Sequence, residues 1–404
     1  MSVPPLFALL LSVSFAACAP PAAELETSIR FATINVEDLR TDDLLNPDHP
    51  RLRLIARQLQ MMRPDVVLVN EIAYDQPGVP GFREGDESGL NGARLASILA
   101  ISQDNGFEPL RYRAFMAPSN TGQASGYDLD HDGRAVMSYP QPLSAGPDGS
   151  PAAQTPDGRA YGNDNWGFGT FPGQYAMALL VREDLEIVEN EVRTFQHFRW
   201  SQLPGALRPT DAESGEPWYP DEVWEQFPLS SKSHWDIPVR LPDGRVVHVL
   251  ASHPTPPAFD GPERRNKNRN HDEIRFWSAY LDGSDAIIDD GGSRGGLAAG
   301  EQFVIMGDLN ADPDEGDAVD NPIGTWLLSH PRVNGDFVPK ADSTGVAAFP
   351  QLDADDTTRW FLRVDYVLPS TGLEVLAGGI ERPSSANAPE TSDHFPVWID
   401  IALQ

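Results

Sequence analysis

The chain ends in TSDHFPVWIDIALQ, where Asp393 and His394 stand directly before an apolar run that reads as a buried last strand. A carboxylate beside an imidazole can pass a proton or anchor an anion, and it can equally be a turn whose Asp caps the backbone. The same arrangement recurs along the chain. IRFATINVED ends on Asn35 and Glu37, PDVVLVNEI on Glu71, RVVHVLASH on His253 and EQFVIMGDLN on Asp308 and Asn310, while Asp365 lies within RVDYVLPS. One carboxylate at a strand end is commonly a turn residue, but so many strand ends carrying Asp, Glu, Asn or His form a constellation. Its oxygen donors suit a hard cation such as Mg²⁺ or Mn²⁺ rather than a thiolate or three-histidine zinc site. Two histidines added to it point to acid–base work or phosphate anchoring.

The elements that must position these residues alternate. Between the first two strand-like runs lies HPRLRLIARQLQMMRPD, whose Leu52, Ile55, Ala56 and Leu59 fall at helical spacing before Pro64 stops them. Further helices are expected at 91–102 and at 271–281, the latter with Ile274, Trp277, Ser278 and Leu281 on one face. Strands alternating with helices argue a layered α+β or α/β domain. Residues 75–172 and 197–230, rich in Gly, Pro and Asp or in Trp and Pro, read as long loop insertions that build a rim or wrap the domain.

PDVVLVNEI, SH after a strand, GDLNADP, RVDYVLPS and SDHFPV, in that order, resemble the endonuclease/exonuclease/phosphatase superfamily, of DNase I-like fold, in its secreted bacterial type. The resemblance spans residues 28–404 and implies a four-layer α/β sandwich of the α+β class: two packed mixed β-sheets flanked by helices. It implies that Glu71 is the principal metal ligand, with Asn35, Glu37 and Asp393 on the metal side. Asp308 and Asn310 would align or deprotonate the attacking water and hold the phosphate. His253 would contact the phosphate, and His394, oriented by Asp365, would bind it and shuttle a proton. The implied activity is divalent-metal-dependent hydrolysis of a phosphoester substrate by an extracellular nuclease or phosphodiesterase. A secreted phosphomonoesterase or phospholipid phosphodiesterase is the alternative, and a non-catalytic binding protein the remote one. RVDYVL stands where inositol-polyphosphate phosphatases carry WCDR, which counts against them.

Other signals are weaker. PERRNKNRNHDEIRFW holds Arg264, Arg265 and Arg269, either a phosphate-facing patch or a solvated helix entry capped by Asn268 or Asn270. Gln174 and Tyr175, at a strand entry, could touch substrate or simply pack. DLDHDGR places Asp128, Asp130 and Asp132 at calcium-loop spacing without the closing Glu, so a structural Ca²⁺ stands against a plain acidic turn.

Of the 404 residues, 40% are apolar and 9% aromatic, enough for a sizeable core, and the formal charge is −30. So acidic a surface disfavours unspecific binding to polyanions, nucleic acid included. Residues 6–17 are apolar but too few to span a bilayer, and they read as a signal peptide over 1–18 followed by a linker at 19–27. FAAC resembles a bacterial lipobox: Cys18 either becomes a lipid-bearing N-terminus or is discarded with the leader. The expected protein is a monomer, secreted, periplasmic or tethered to the outer surface. Cys18 is the chain's one cysteine, so no disulfide forms within it.

Overall fold

A computed structural model describes residue 1 and residues 27–46, 48–102 and 106–404. The leader and Cys18 lie outside the described residues. Strand β1 (Ser28–Leu39) dictates a layered fold by its own alternation. Ile29 and Phe31 face one way and Ala32 and Ile34 the other, and all four are buried. A strand apolar on both faces needs cover on both.

Two six-stranded mixed sheets supply the inner layers. The first runs β11 (Val375–Ile380), β12 (Val397–Ala402), β1, β2 (Val66–Ile72), β4 (Met177–Arg182), β3 (Tyr112–Phe115). The second runs β10 (Asp365–Pro369), β9 (Gln302–Asp308), β8 (Val246–Ser252), β7 (His234–Arg240), β5 (Glu186–Ile187), with β6 (Arg193–Thr194) also on β7. Phe31, Leu68 and Val181 of one sheet meet Val249, Met306 and Val367 of the other in the central core.

Helices cover the outer faces. Helix α1 (Pro50–Met62) buries the expected Leu52, Ile55, Ala56 and Leu59 against Ala32, Val67 and Val69, together with α2 (Asn91–Leu99). Its start is fixed by His49, whose side chain accepts from Leu52 N–H, and by Pro50 at the first turn. Its end is a left-handed Arg63 before Pro64. On the other sheet, α3 (Arg265–Leu281) packs Ile274 and Trp277 over Phe303 and Ile305. The segment 197–230 wraps this helix. Trp200, Trp224 and Phe227 are buried there, and Trp200 Nε1 donates to Asp272 at 2.7 Å. Among the described residues no helix is long and apolar enough to cross a membrane.

Candidate active site

Parallel pairing collects the strand ends. Strands β1 and β2 run parallel with Asn35 beside Asn70, so Asn35 and Glu37 leave the sheet next to Glu71. Strands β8 and β9 are also parallel and end together on His253 and Asp308. Antiparallel β10 opens with Asp365 opposite Asp308. Gly307, at φ 152, lets β9 lie this close to β8, since a Cβ there would stand 1.9 Å from the Ser252 carbonyl oxygen.

Asp308 is the hub of the resulting cluster. Its Oδ2 accepts from Asn35 Nδ2 at 3.0 Å, a bond that ties the two sheets together. The same oxygen lies 3.4 Å from His253 Nε2 and 3.7 Å from His394 Nε2. Asn35 Nδ2 also reaches Glu71 Oε1 at 3.1 Å, while its Oδ1 accepts from Glu37 N–H at 2.9 Å. Asn35, expected among the ligands, therefore turns its amide N–H groups and not its oxygen toward the two carboxylates. His394 Nδ1 and Asp365 Oδ2 are 2.7 Å apart, both buried, which is the expected pairing. Asn310 Nδ2 donates to the Pro254 carbonyl at 3.1 Å. Glu37, Glu71, Asn310 and Tyr175 all sit at positive φ, between 49° and 64°. Each costs on the order of 1–3 kcal/mol. Strained residues of this kind cluster at functional sites, and these four gather near the Asp308 cluster.

The electrostatics divide the site. Burial pushes Glu37 and Glu71 up to about 7, with nearby Asp393 adding to both, and burial raises Asp393 as well. Burial alone would raise Asp308 too, but His394, the bond from His253 and that from Asn35 hold it well below the usual carboxylate range. Burial, then Lys232, lowers His253 to about 4. Burial opposes the charged form of His394, yet Asp365 and Asp308 outweigh it and hold the imidazole well above its ordinary value.

This donor set fits a divalent cation. Glu71 and Asp393 keep 20% and 38% of their side chains exposed, so their oxygens remain open to a ligand, with Glu37 beside them. Three crowded carboxylates that resist ionising together are what a hard cation relieves. Ligand atoms of Glu71, His253 and Asp308, and of Asp308, Asp365 and His394, each lie within 4.8 Å of one another.

Other expected residues stand elsewhere. Helix α3 begins six residues before the expected 271, so the basic run is its first turns, and no asparagine caps it: the Asp260 carboxylate accepts from Asn266 and Lys267 N–H, and Arg264, at φ 56, leads in without a side-chain cap bond. Two of the run's three expected phosphate-binding arginines are committed to backbone carbonyls. Arg269 is buried, donates to the carbonyls of Leu229 and Pro228, and lies over Phe227. Arg265 donates to the Leu129 carbonyl, leaving Arg264 exposed. Gln174 is buried, its Oε1 held by the N–H and hydroxyl of Thr170, so it packs. Tyr175 does approach the site: after burial, Asp38 and Glu71 are what raise its hydroxyl. In the acidic loop, Asp128 and Asp130 group with Asp164, not with Asp132. Asp132 turns its carboxylate to Arg134 N–H, and Asp128 accepts from Asp132 and Gly133 N–H.

Sequence reasoning missed Lys232. It is 6% exposed, and its Nζ has a single long contact, 3.4 Å to the Pro254 carbonyl that Asn310 also reaches. Burial lowers it, against the pull of Glu273, Glu71 and Asp308. Its scarcity was the available signal, as one of three lysines in the chain.

A family model described as the Endonuclease/Exonuclease/phosphatase family matches residues 32–394. Among solved structures, an endonuclease/exonuclease/phosphatase from Beutenbergia cavernae is similar at 17% identity and TM-score 0.50, over 94% of this chain and 72% of that one. The human Nocturnin catalytic domain gives 14% and 0.45, over 93% and 95%, and a family protein from Leptotrichia buccalis 14% and 0.45, over 93% and 100%. No curated protein matches. At 17% identity the likeness to the Beutenbergia cavernae structure speaks for the fold alone. With ordered strand-end residues and a family match over nearly the whole length, the chain belongs to the endonuclease/exonuclease/phosphatase family.

Proposed function

We propose that this protein is a divalent-metal-dependent phosphodiesterase, exported from the cell and acting on nucleotide-type phosphodiesters. The observation that carries the reading is the convergence on Asp308 Oδ2 of Asn35, His253 and His394, with the Glu71 carboxylate in the same cluster and Asp393 close enough to raise it. Glu71, Asp393 and Glu37 would hold the cation, which when bound neutralises phosphate oxygens. Asp308, kept ionised by its neighbours, orients the attacking water and takes its proton. The water oxygen bonds to phosphorus as the ester P–O bond breaks opposite it. His394, fixed by Asp365, grips the phosphate and gives the leaving oxygen its proton. Asn310 donates its second amide hydrogen to the phosphate, His253 steadies Asp308 from Nε2, 3.4 Å away, and the nearby Lys232 offsets negative charge.

The test is hydrolysis of bis-p-nitrophenyl phosphate against the monoester. The diester should be cleaved the faster, EDTA should abolish turnover, and Mg²⁺ or Mn²⁺ should restore it. Cleavage of the monoester alone would mean a phosphatase, and cleavage of neither a binding protein.

A further inference from the structure

The turn that carries Trp360 and Phe361 is fastened to both sides of His394. Arg359 N–H donates to the Asp393 carbonyl at 3.0 Å, and Phe395 N–H donates to the Thr357 carbonyl at 2.7 Å. The turn is closed by Thr357 N–H on the Leu362 carbonyl at 2.9 Å, and the Thr358 hydroxyl braces the same residue. Trp360 meets the His394 ring edge-on, at 4.9 Å between centroids. Yet Trp360 is 42% and Phe361 49% exposed, whereas Trp200, Trp235 and Trp277 are fully buried. Phe361 moreover sits at φ 70, a costly conformation for a bulky residue. A rigid turn that holds two aromatic rings in water beside the phosphate anchor gains little for folding.

We infer that this turn recognises the substrate: Trp360 is the platform on which a nucleobase next to the scissile phosphate stacks, and the substrate is a short nucleotide ester. The inference rests on the phosphodiesterase reading. Charge limits the substrate's length. The chain carries −30, and two of the three arginines expected to grip phosphates are spent on backbone carbonyls. Every phosphate beyond the scissile one adds repulsion, while base stacking is indifferent to charge. Around the turn, Asp353 is exposed and Asp355 half-buried, and the Arg359 guanidinium is paired with Glu390 at 3.3 Å, a face with little to attract an anionic bilayer.

The experiment compares two esters with one leaving group, thymidine 5′-p-nitrophenyl phosphate and methyl p-nitrophenyl phosphate. The ratio of their kcat/KM values cancels damage common to both. Stacking should give the wild type a ratio of roughly fivefold or more in favour of the nucleoside. Trp360→Ala should bring the ratio close to one, and Trp360→Phe should preserve most of it. A ratio unmoved by Trp360→Ala overturns the platform and leaves the phosphodiesterase reading standing. No turnover of either ester by wild type with Mg²⁺ or Mn²⁺ defeats that reading itself. An oligonucleotide bound much more tightly than a dinucleotide, with a steep salt dependence, overturns the short-substrate inference. Trp360-dependent binding to phosphatidylcholine vesicles would make the turn a lipid contact instead.

Discussion

Replacing Asp365 by Asn takes away the charge that holds His394 in place. The Oδ2–Nδ1 distance is 2.7 Å and both side chains are buried, so the bond is a charged one shielded from water. Such bonds contribute roughly 1.5–3 kcal/mol, or about 10- to 150-fold in rate if all of it bears on the reaction. His394→Ala removes the proton donor and the phosphate contact together, and should cost about 10²–10⁴-fold. If Asp365 acts only through His394, the double variant should be little worse than His394→Ala alone, because residues acting as one unit do not add. The assay is kcat/KM on a phosphodiester at saturating metal. Folding must be checked beside it by circular dichroism and thermal melting, since breaking a buried charged pair can cost several kcal/mol of stability. Losses that multiply across the two positions in folded protein would refute the pairing and assign Asp365 another partner.

Two further outcomes follow from buried groups. Lys232→Met should lower kcat/KM at least about tenfold with a native circular dichroism spectrum, because a nearly desolvated cation beside the phosphate donors is lost; unchanged kinetics would make Lys232 a purely structural residue. His234 is buried against Phe276 and Trp277, with its Nε2 at the Glu273 carbonyl, and burial lowers it to about 4. A histidine held neutral when folded contributes stability that is present above its unfolded value near 6.5 and lost as the pH falls toward about 4, on the order of 3 kcal/mol in all. His234→Gln should therefore flatten the loss of denaturant stability over that window relative to wild type, and parallel curves would contradict the assignment.

What the sequence made legible was whatever periodicity and strand ends encode. Phe31 against Ala32, and Leu52 with Ile55 and Leu59, announce faces that must be covered, and the sandwich covers them. Asn35, Glu71, His253, Asp308, Asp365 and His394 were readable because each terminates, opens or closely precedes an apolar run, and those runs end at one edge of the paired sheets. The remainder depended on contacts between distant segments. Arg269 looked like a phosphate ligand because its spacing cannot show that the carbonyls of Pro228 and Leu229 come to meet it. Asp164 lies far along the chain from Asp128 and Asp130, which it joins, and Trp360 is an ordinary turn residue until Asp393 and Phe395 fasten it beside His394. Lys232 carries no local signal of burial. Its environment is made by Glu273 of α3 and by the strand ends that carry Glu71 and Asp308.

The central claim is that a cation held by Glu71 and its neighbouring carboxylates drives phosphodiester hydrolysis. Calorimetric titration of Mn²⁺ into wild type and into Glu71→Gln, paired with turnover of bis-p-nitrophenyl phosphate on the same samples, tests it most directly. Binding should be saturable in the wild type and at least about tenfold weaker in the variant, with turnover lost while the melting temperature holds. Unchanged Mn²⁺ affinity in a folded Glu71→Gln protein, or full turnover in the presence of EDTA, would contradict it.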